Sequence, residues 1–115
     1  MISLKNKVIL LSSNVLGKGD EELGQNLLET FFTILKQREE LPAAIFCVNS
    51  GVRALTNDSL TSLHLKEIEA KGVDVLACKT CVDFYQIEEK LVAGKISSMA
   101  KFIELAEKYE VMTIA

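Results

Sequence analysis

Val73-Asp74-Val75-Leu76-Ala77-Cys78-Lys79-Thr80-Cys81-Val82-Asp83 is the stretch on which the fold of this chain turns. An apolar run of strand length passes directly into Cys-x-x-Cys, and a helix start follows at once. A thiol at such a junction lies beside the unpaired N–H groups of a helix N-terminus, where the helix dipole favours the thiolate. Thiolate is the reactive form of cysteine, so the placement points to sulfur chemistry rather than packing.

Working outward, Gly72 supplies the C′ position of a helix over about Leu60–Lys71, capped by Asp58 or Ser59. Before that helix comes a short apolar turn, Val52–Leu55. Ahead of the turn, Ala43-Ala44-Ile45-Phe46-Cys47-Val48 reads as a strand with the polar tip Asn49-Ser50-Gly51. Val8-Ile9-Leu10-Leu11 is another continuous apolar run, ending in Ser12-Ser13-Asn14. Between these two strands a helix opens after Leu16-Gly17-Lys18-Gly19-Asp20. Asp20 is its N-cap, and Leu23, Leu27, Leu28, Phe31, Ile34 and Leu35 fall at helical spacing. Gly24 lowers its helix propensity and implies a close approach to the sheet.

Downstream, Thr80-x-x-Asp83 has capping-box spacing and predicts a short helix from Cys81 to about Glu89. Gly94 makes a turn and Lys95-Ile96 a short strand. Ser97 or Ser98 caps a last helix to about Tyr109, and Val111–Ile114 is a terminal strand. Strands alternate with helices, and the first three are continuously apolar. This pattern predicts one α/β domain over residues 1–115, its mostly parallel sheet covered on both faces by right-handed crossovers. Ligands of such sheets bind outside the carboxyl ends of the strands. Ser12-Ser13-Asn14, Asn49-Ser50-Gly51 and Cys78-x-x-Cys81 all belong to that edge.

The 115 residues suit one core rather than two. Hydrophobic residues make up 49%, a surplus that fits a subunit interface as well as a core. A net charge of −3, no basic run and no Trp argue against a nucleic-acid footprint. The longest apolar runs are strand-sized, too short for a membrane span. The lysines near the N-terminus precede no signal-type cleavage pattern, so a cytoplasmic location is expected. There, three cysteines read as free thiols rather than a disulfide framework.

The Cys78/Cys81 pair admits several chemistries. A thioredoxin-like reading lacks its proline, because the only one, Pro42, precedes the second strand. A zinc site lacks ligands, since only Cys47, in an apolar strand, and His64, in a helix, remain; no metal is expected. A persulfide-bearing nucleophile needs one cysteine, with the second auxiliary. The plain alternative is that both pack as small hydrophobes. Gly17-Lys18-Gly19 lacks the phosphate-loop and dinucleotide patterns and runs into acids, so it reads as a flexible loop over the site; no cofactor is expected. Arg53 follows the second polar tip and suits an anionic sulfur group or plain solvent. His64 and Cys47 read as structural, and Asp83 as a cap.

Three stretches carry a family resemblance: Leu11–Gly24, then Phe46–Val52, then Lys71–Tyr85. Together they resemble the DsrE/DsrF-like superfamily, and look closest to the C-terminal domain of YedF-type sulfurtransferase-like proteins associated with selenium metabolism. The resemblance implies a three-layer α/β/α sandwich with a mainly parallel, five-stranded sheet, assembled as a trimer or hexamer. It also implies sulfur relay as a cysteine persulfide, with Cys78 matching the cysteine that receives sulfur and Cys81 a second one found in some members. Two departures stand out. Tyr85-Gln86 replaces the Arg-Gly of many relatives, and the small sulfur-carrier domain of the longer proteins is absent.

The expected function is therefore a sulfurtransferase-like carrier holding sulfur on Cys78, with Cys81 auxiliary. Ser12, Asn14, Gly17, Asn49, Ser50, Gly51, Lys79 and Thr80 are expected to line its pocket. Sulfur donor and acceptor proteins are the expected partners, with neither nucleic acid nor membrane bound directly. The alternatives are an oligomeric interaction domain with packing cysteines, and a Cys78/Cys81 dithiol switch.

Overall fold

The computed structural model describes residues 3–115. Five strands, β1 (Lys7–Leu11), β2 (Ala44–Cys47), β3 (Asp74–Cys78), β4 (Lys95–Ser97) and β5 (Glu110–Ile114), alternate with four helices. The helices are α1 (Glu21–Leu35), α2 (Thr61–Ala70), α3 (Lys79–Tyr85) and α4 (Met99–Lys108). All pairings between these strands are parallel, in the order β4-β3-β2-β1-β5. From β1 to β4 the chain steps in one direction, which for right-handed crossovers keeps α1, α2 and α3 on one face. The connection to β5 runs back across the sheet and sends α4 to the other. The result is the three-layer α/β/α sandwich that the alternation of elements implies.

The apolar runs on β1, β2 and β3 are continuous because both faces are covered. Ile9, Leu11, Ile45, Cys47, Val75 and Ala77 turn into the larger core with Leu28, Phe32, Leu65 and Ile68 of the helices. Val8, Ala44, Phe46, Leu76 and Cys78 turn the other way, onto Leu105 and Phe102 of α4. There the rings of Phe46 and Phe102 stand 5.3 Å apart. Cys47 and Cys78 consequently lie on opposite faces of the sheet.

The start of α1 follows its sequence signal. Asp20 Oδ1 accepts the Leu23 N–H at 2.9 Å, and Glu21 and Glu22 complement the helix dipole. Asp20→Ala is expected to cost about 1 kcal/mol, read as a lower urea midpoint at unchanged slope. An unmoved midpoint would show the cap to be dispensable. Gly24 serves a different contact from the one expected. A Cβ there would lie 2.8 Å from Val15 Cβ, so the glycine admits the loop before α1, not the sheet. The Leu16 N–H bonds to the Gly24 carbonyl across this contact at 2.9 Å.

The third helix departs further from expectation. It begins at Lys79, with Cys78 as its N-cap residue, and ends at Tyr85 because Gln86 adopts left-handed backbone (φ 55°). No capping box forms: Asp83 instead binds Lys79 Nζ at 2.7 Å, one turn apart on the exposed side. Asn49–Leu55, expected as a polar tip followed by an apolar turn, is one continuous 3-10 helix. Among the described residues no helix is long and apolar enough to cross a membrane.

Candidate functional site

Parallel strands place the ends of β1, β2 and β3 along one edge, and two features occupy it. The first is the cysteine pair. Cys78 closes β3 with its side chain on the α4 face, packed among Phe46, Leu76 and Leu105 and only 5% exposed. Its side chain makes no capping hydrogen bond to α3. Cys81, in the first turn of α3, is half-buried and packs against both cores, so it stands at the rim of the sheet. The pair opens to solvent through Cys81.

A backbone donor is aimed at this thiol from the first residue of the 3-10 helix that follows β2. The Asn49 N–H points at Cys81 Sγ, 3.0 Å away. Asn49 sits in left-handed backbone (φ 52°), a conformation asparagine tolerates better than most residues. Its side-chain Oδ1 accepts the Ser50 N–H at 2.9 Å, which holds the turn. Burial raises the Cys81 pKa, the Asn49 N–H opposes that rise, and the adjoining Cys78 adds to it. Desolvation therefore outweighs the donor at Cys81, and a helix-start position alone does not make this thiol acidic. Lys79 offers the thiols little charge, being paired with Asp83.

The second feature is a polar cleft of about 650 Å³ on the α1–α2 side of the edge. Asn26 and Glu29 of α1, Arg53 of the 3-10 helix, Asp58 before α2, Tyr85 at the end of α3 and Lys90 beyond it line the cleft, with Asn14 from the loop after β1. The guanidinium of Arg53 lies over the Tyr85 ring, 5.7 Å from its centroid. The Tyr85 hydroxyl is 3.5 Å from Asn49 Oδ1, the outer limit of a hydrogen bond. Tyr85 is thus the partition between the cleft and the turn that faces Cys81. Glu29 is shared with His64, whose Nε2 is 3.2 Å from its carboxylate and 3.2 Å from Thr33 Oγ1. That makes His64 a fastener between α1 and α2.

The residues expected around the cysteines divide into groups. Asn49 touches Cys81, and Ser50 stands behind it in the same turn. Asn14 lines the cleft. Ser12 and Gly17 face the opposite way: their N–H groups bond the Ile114 and Ala115 carbonyls at 3.1 and 3.0 Å, beside β5. The Gly17–Gly19 loop therefore flanks the chain's last strand rather than covering the thiols. Gly51 is buried beneath β1, and Lys79 and Thr80 are exposed on α3. Tyr85, Glu29, Asp58 and Lys90 were not expected at any site. A polar row, Gln25–Glu29 at one-turn spacing on α1, was the available signal for the cleft wall. Among the described residues no cluster of three or more His, Cys, Asp or Glu could hold a metal ion.

Comparison with known proteins follows the same outline. The DsrE/DsrF-like family matches residues 33–114. No curated protein matches in sequence. The crystal structure of the ychN protein from E. coli is similar at TM-score 0.70 and 21% identity, over 96% of this chain and 99% of that one. A protein of unknown function from Methanobacterium thermoautotrophicum gives 0.65 and 18%, over 93% and 96%. Another from Bacteroides thetaiotaomicron gives 0.63 and 16%, over 99% of each chain. These likenesses are of fold.

Proposed function

Because the chain belongs to the DsrE/DsrF-like family, a family of sulfur-relay type, we propose that it carries sulfur as a persulfide on Cys78, with Cys81 as auxiliary thiol. The observation that supports this most is the pair itself at the carboxyl edge, with the Asn49 N–H directed at Cys81 Sγ. A backbone donor aimed at sulfur stabilises whatever anionic sulfur forms there.

In the proposed step the Cys78 thiolate attacks the terminal sulfur of a donor persulfide. The donor's S–S bond breaks, a new S–S bond forms on Cys78, and the donor leaves as a thiolate, the transferred sulfur keeping its own proton. An acceptor thiolate then repeats the exchange and restores the Cys78 thiolate. Alternatively, Cys81 attacks the inner sulfur of the Cys78 persulfide, forming the Cys78–Cys81 disulfide and releasing hydrosulfide. The first route needs no outside redox partner; the second also needs no oxidant, but the disulfide it leaves is returned to the dithiol by a reducing thiol.

Sulfur donor and acceptor proteins are the partners this reading requires. Self-association as a trimer or hexamer belongs to it as well. Leu23, Leu27 and Ile34 form an exposed stripe along α1, at 54%, 43% and 55% exposure, and supply an apolar surface for such contacts.

Incubation with a cysteine desulfurase and cysteine, followed by intact mass measurement, tests the proposal. The wild type is expected to gain the mass of a sulfur atom and Cys78→Ala to gain none. No added sulfur on the wild type, or unchanged loading of Cys78→Ala, would overturn it.

A further inference from the structure

The polar cleft carries charges that the cysteine chemistry leaves unused. Arg53 and Lys90 line it, and neither belongs to an ion pair found among the described residues. The Arg53 guanidinium lies over the Tyr85 ring, 5.7 Å from its centroid, on the cleft wall. Asp58, also lining the cleft, is likewise outside those ion pairs, and Glu29 contributes a second carboxylate beside His64. The side-chain amides of Asn14, Gln25 and Asn26 also line it. Two cations, two carboxylates and three amides in one concavity match a ligand bearing carboxylate, ammonium and peptide groups together. The volume of about 650 Å³ admits a short peptide and far exceeds one inorganic anion.

Position narrows the ligand further. Tyr85 lines the cleft with its ring and approaches Asn49 with its hydroxyl, while the Asn49 N–H is donated to Cys81 Sγ. A molecule seated in the cleft thus lies across the Tyr85 side chain from the turn that faces Cys81, the more open of the two thiols. We infer that the cleft binds a small peptidic thiol with free carboxylate and ammonium groups, the low-molecular-weight partner in sulfur exchange at Cys78 and Cys81. This inference rests on the sulfur-relay reading for its chemistry, though the binding itself does not need the cysteines. Bound as a persulfide, the ligand yields its terminal sulfur to the cysteine thiolate. Its own S–S bond breaks as the new S–S bond forms on the cysteine, the transferred sulfur keeps its proton, and the ligand departs as the thiolate.

Reduced glutathione is the probe, titrated calorimetrically under reducing conditions into the wild type, Arg53→Ala and the Cys78→Ala/Cys81→Ala double variant. Saturable binding to the wild type is expected, weakened about tenfold by Arg53→Ala, the usual weight of a charge-assisted contact. Glutathione with both carboxylates esterified should lose affinity to a similar degree. Lys90→Ala, on the exposed rim, provides a second cation deletion should Arg53→Ala fold poorly. The double cysteine variant is expected to bind within about twofold of the wild type. Because that variant cannot load sulfur, failure of the cleft and failure of the relay are read separately. Absence of saturable binding up to about 10 mM, or equal affinity after cation deletion or esterification, would overturn the inference.

Discussion

Gly51→Ala is expected to destabilise the protein by roughly 3 kcal/mol or more, the upper end of what an added core methyl costs. Gly51 lies in the 3-10 helix directly beneath the end of β1. A Cβ there would press into the Leu11 carbonyl oxygen and lie 2.9 Å from the carbonyl carbon and 3.3 Å from the Ser13 nitrogen. All three atoms are backbone, so no side chain can rotate away. The same Leu11 carbonyl accepts the Val48 N–H at 2.9 Å, a bond joining the β1 and β2 ends. Displacing it would prise the two strand ends apart where Asn49 is set against Cys81. The urea midpoint should fall sharply, and native Cys81 should become more reactive toward alkylating reagents in conditions where the variant still folds. A midpoint equal to that of the wild type would show that the strand ends yield to the methyl without cost.

Cys47 is expected to resist alkylation in the native protein by about a thousandfold relative to an ordinary cysteine. It is fully buried between β1 and β3, and burial pushes its pKa up to about 12. At pH 8 its thiolate fraction is then about three orders of magnitude below that of a free thiol. The Cys78→Ala/Cys81→Ala variant isolates Cys47 for iodoacetamide labelling followed by mass measurement. Labelling should be negligible in buffer and prompt in denaturing urea; prompt labelling in buffer would mean that the core opens readily.

The same burial has a consequence for alkaline stability. In the unfolded chain Cys47 ionises first, so above about pH 8.5 the unfolded state binds fewer protons and stability falls as pH rises. The loss from this one group reaches about 1.4 kcal/mol at pH 9.5 and continues to grow toward the folded-state pKa. Cys47→Val should remove that component of the decline while preserving the apolar fill. An identical alkaline decline in the variant and the wild type would refute the assignment.

Much of the architecture is legible locally. Val8–Leu11, Ala44–Cys47 and Val75–Ala77 are apolar at every position because helices cover both faces, and that pattern is written in consecutive residues. Asp20 and Ser98 cap α1 and α4 where their spacing to the next apolar residues says they should. The errors come where two local signals compete. Thr80 and Asp83 have capping-box spacing, yet Lys79 and Asp83 have the one-turn spacing of an ion pair, and the helix beginning at Lys79 selects the pair. Gly24 is visibly an odd residue inside a helix, but nothing near it in the chain reveals that its neighbour is Val15 rather than the sheet.

By itself the sequence determined the alternation of strands and helices, the parallel sheet, and the arrival of Cys78 and Cys81 where a strand becomes a helix. Each follows from residues within a few positions of one another, so propensity and periodicity carry the information. Only the tertiary structure decided what surrounds the cysteines. Which face each thiol takes, the Asn49 N–H on Cys81, and the Tyr85–Arg53 wall of the neighbouring cleft all depend on segments brought together by strand order. The order β4-β3-β2-β1-β5 sets the β2 turn beside Cys81 and sends Ser12 and Gly17 toward β5. Strand order is the outcome of covering the whole sheet at once, a balance of burial over both faces that no single stretch of the chain contains.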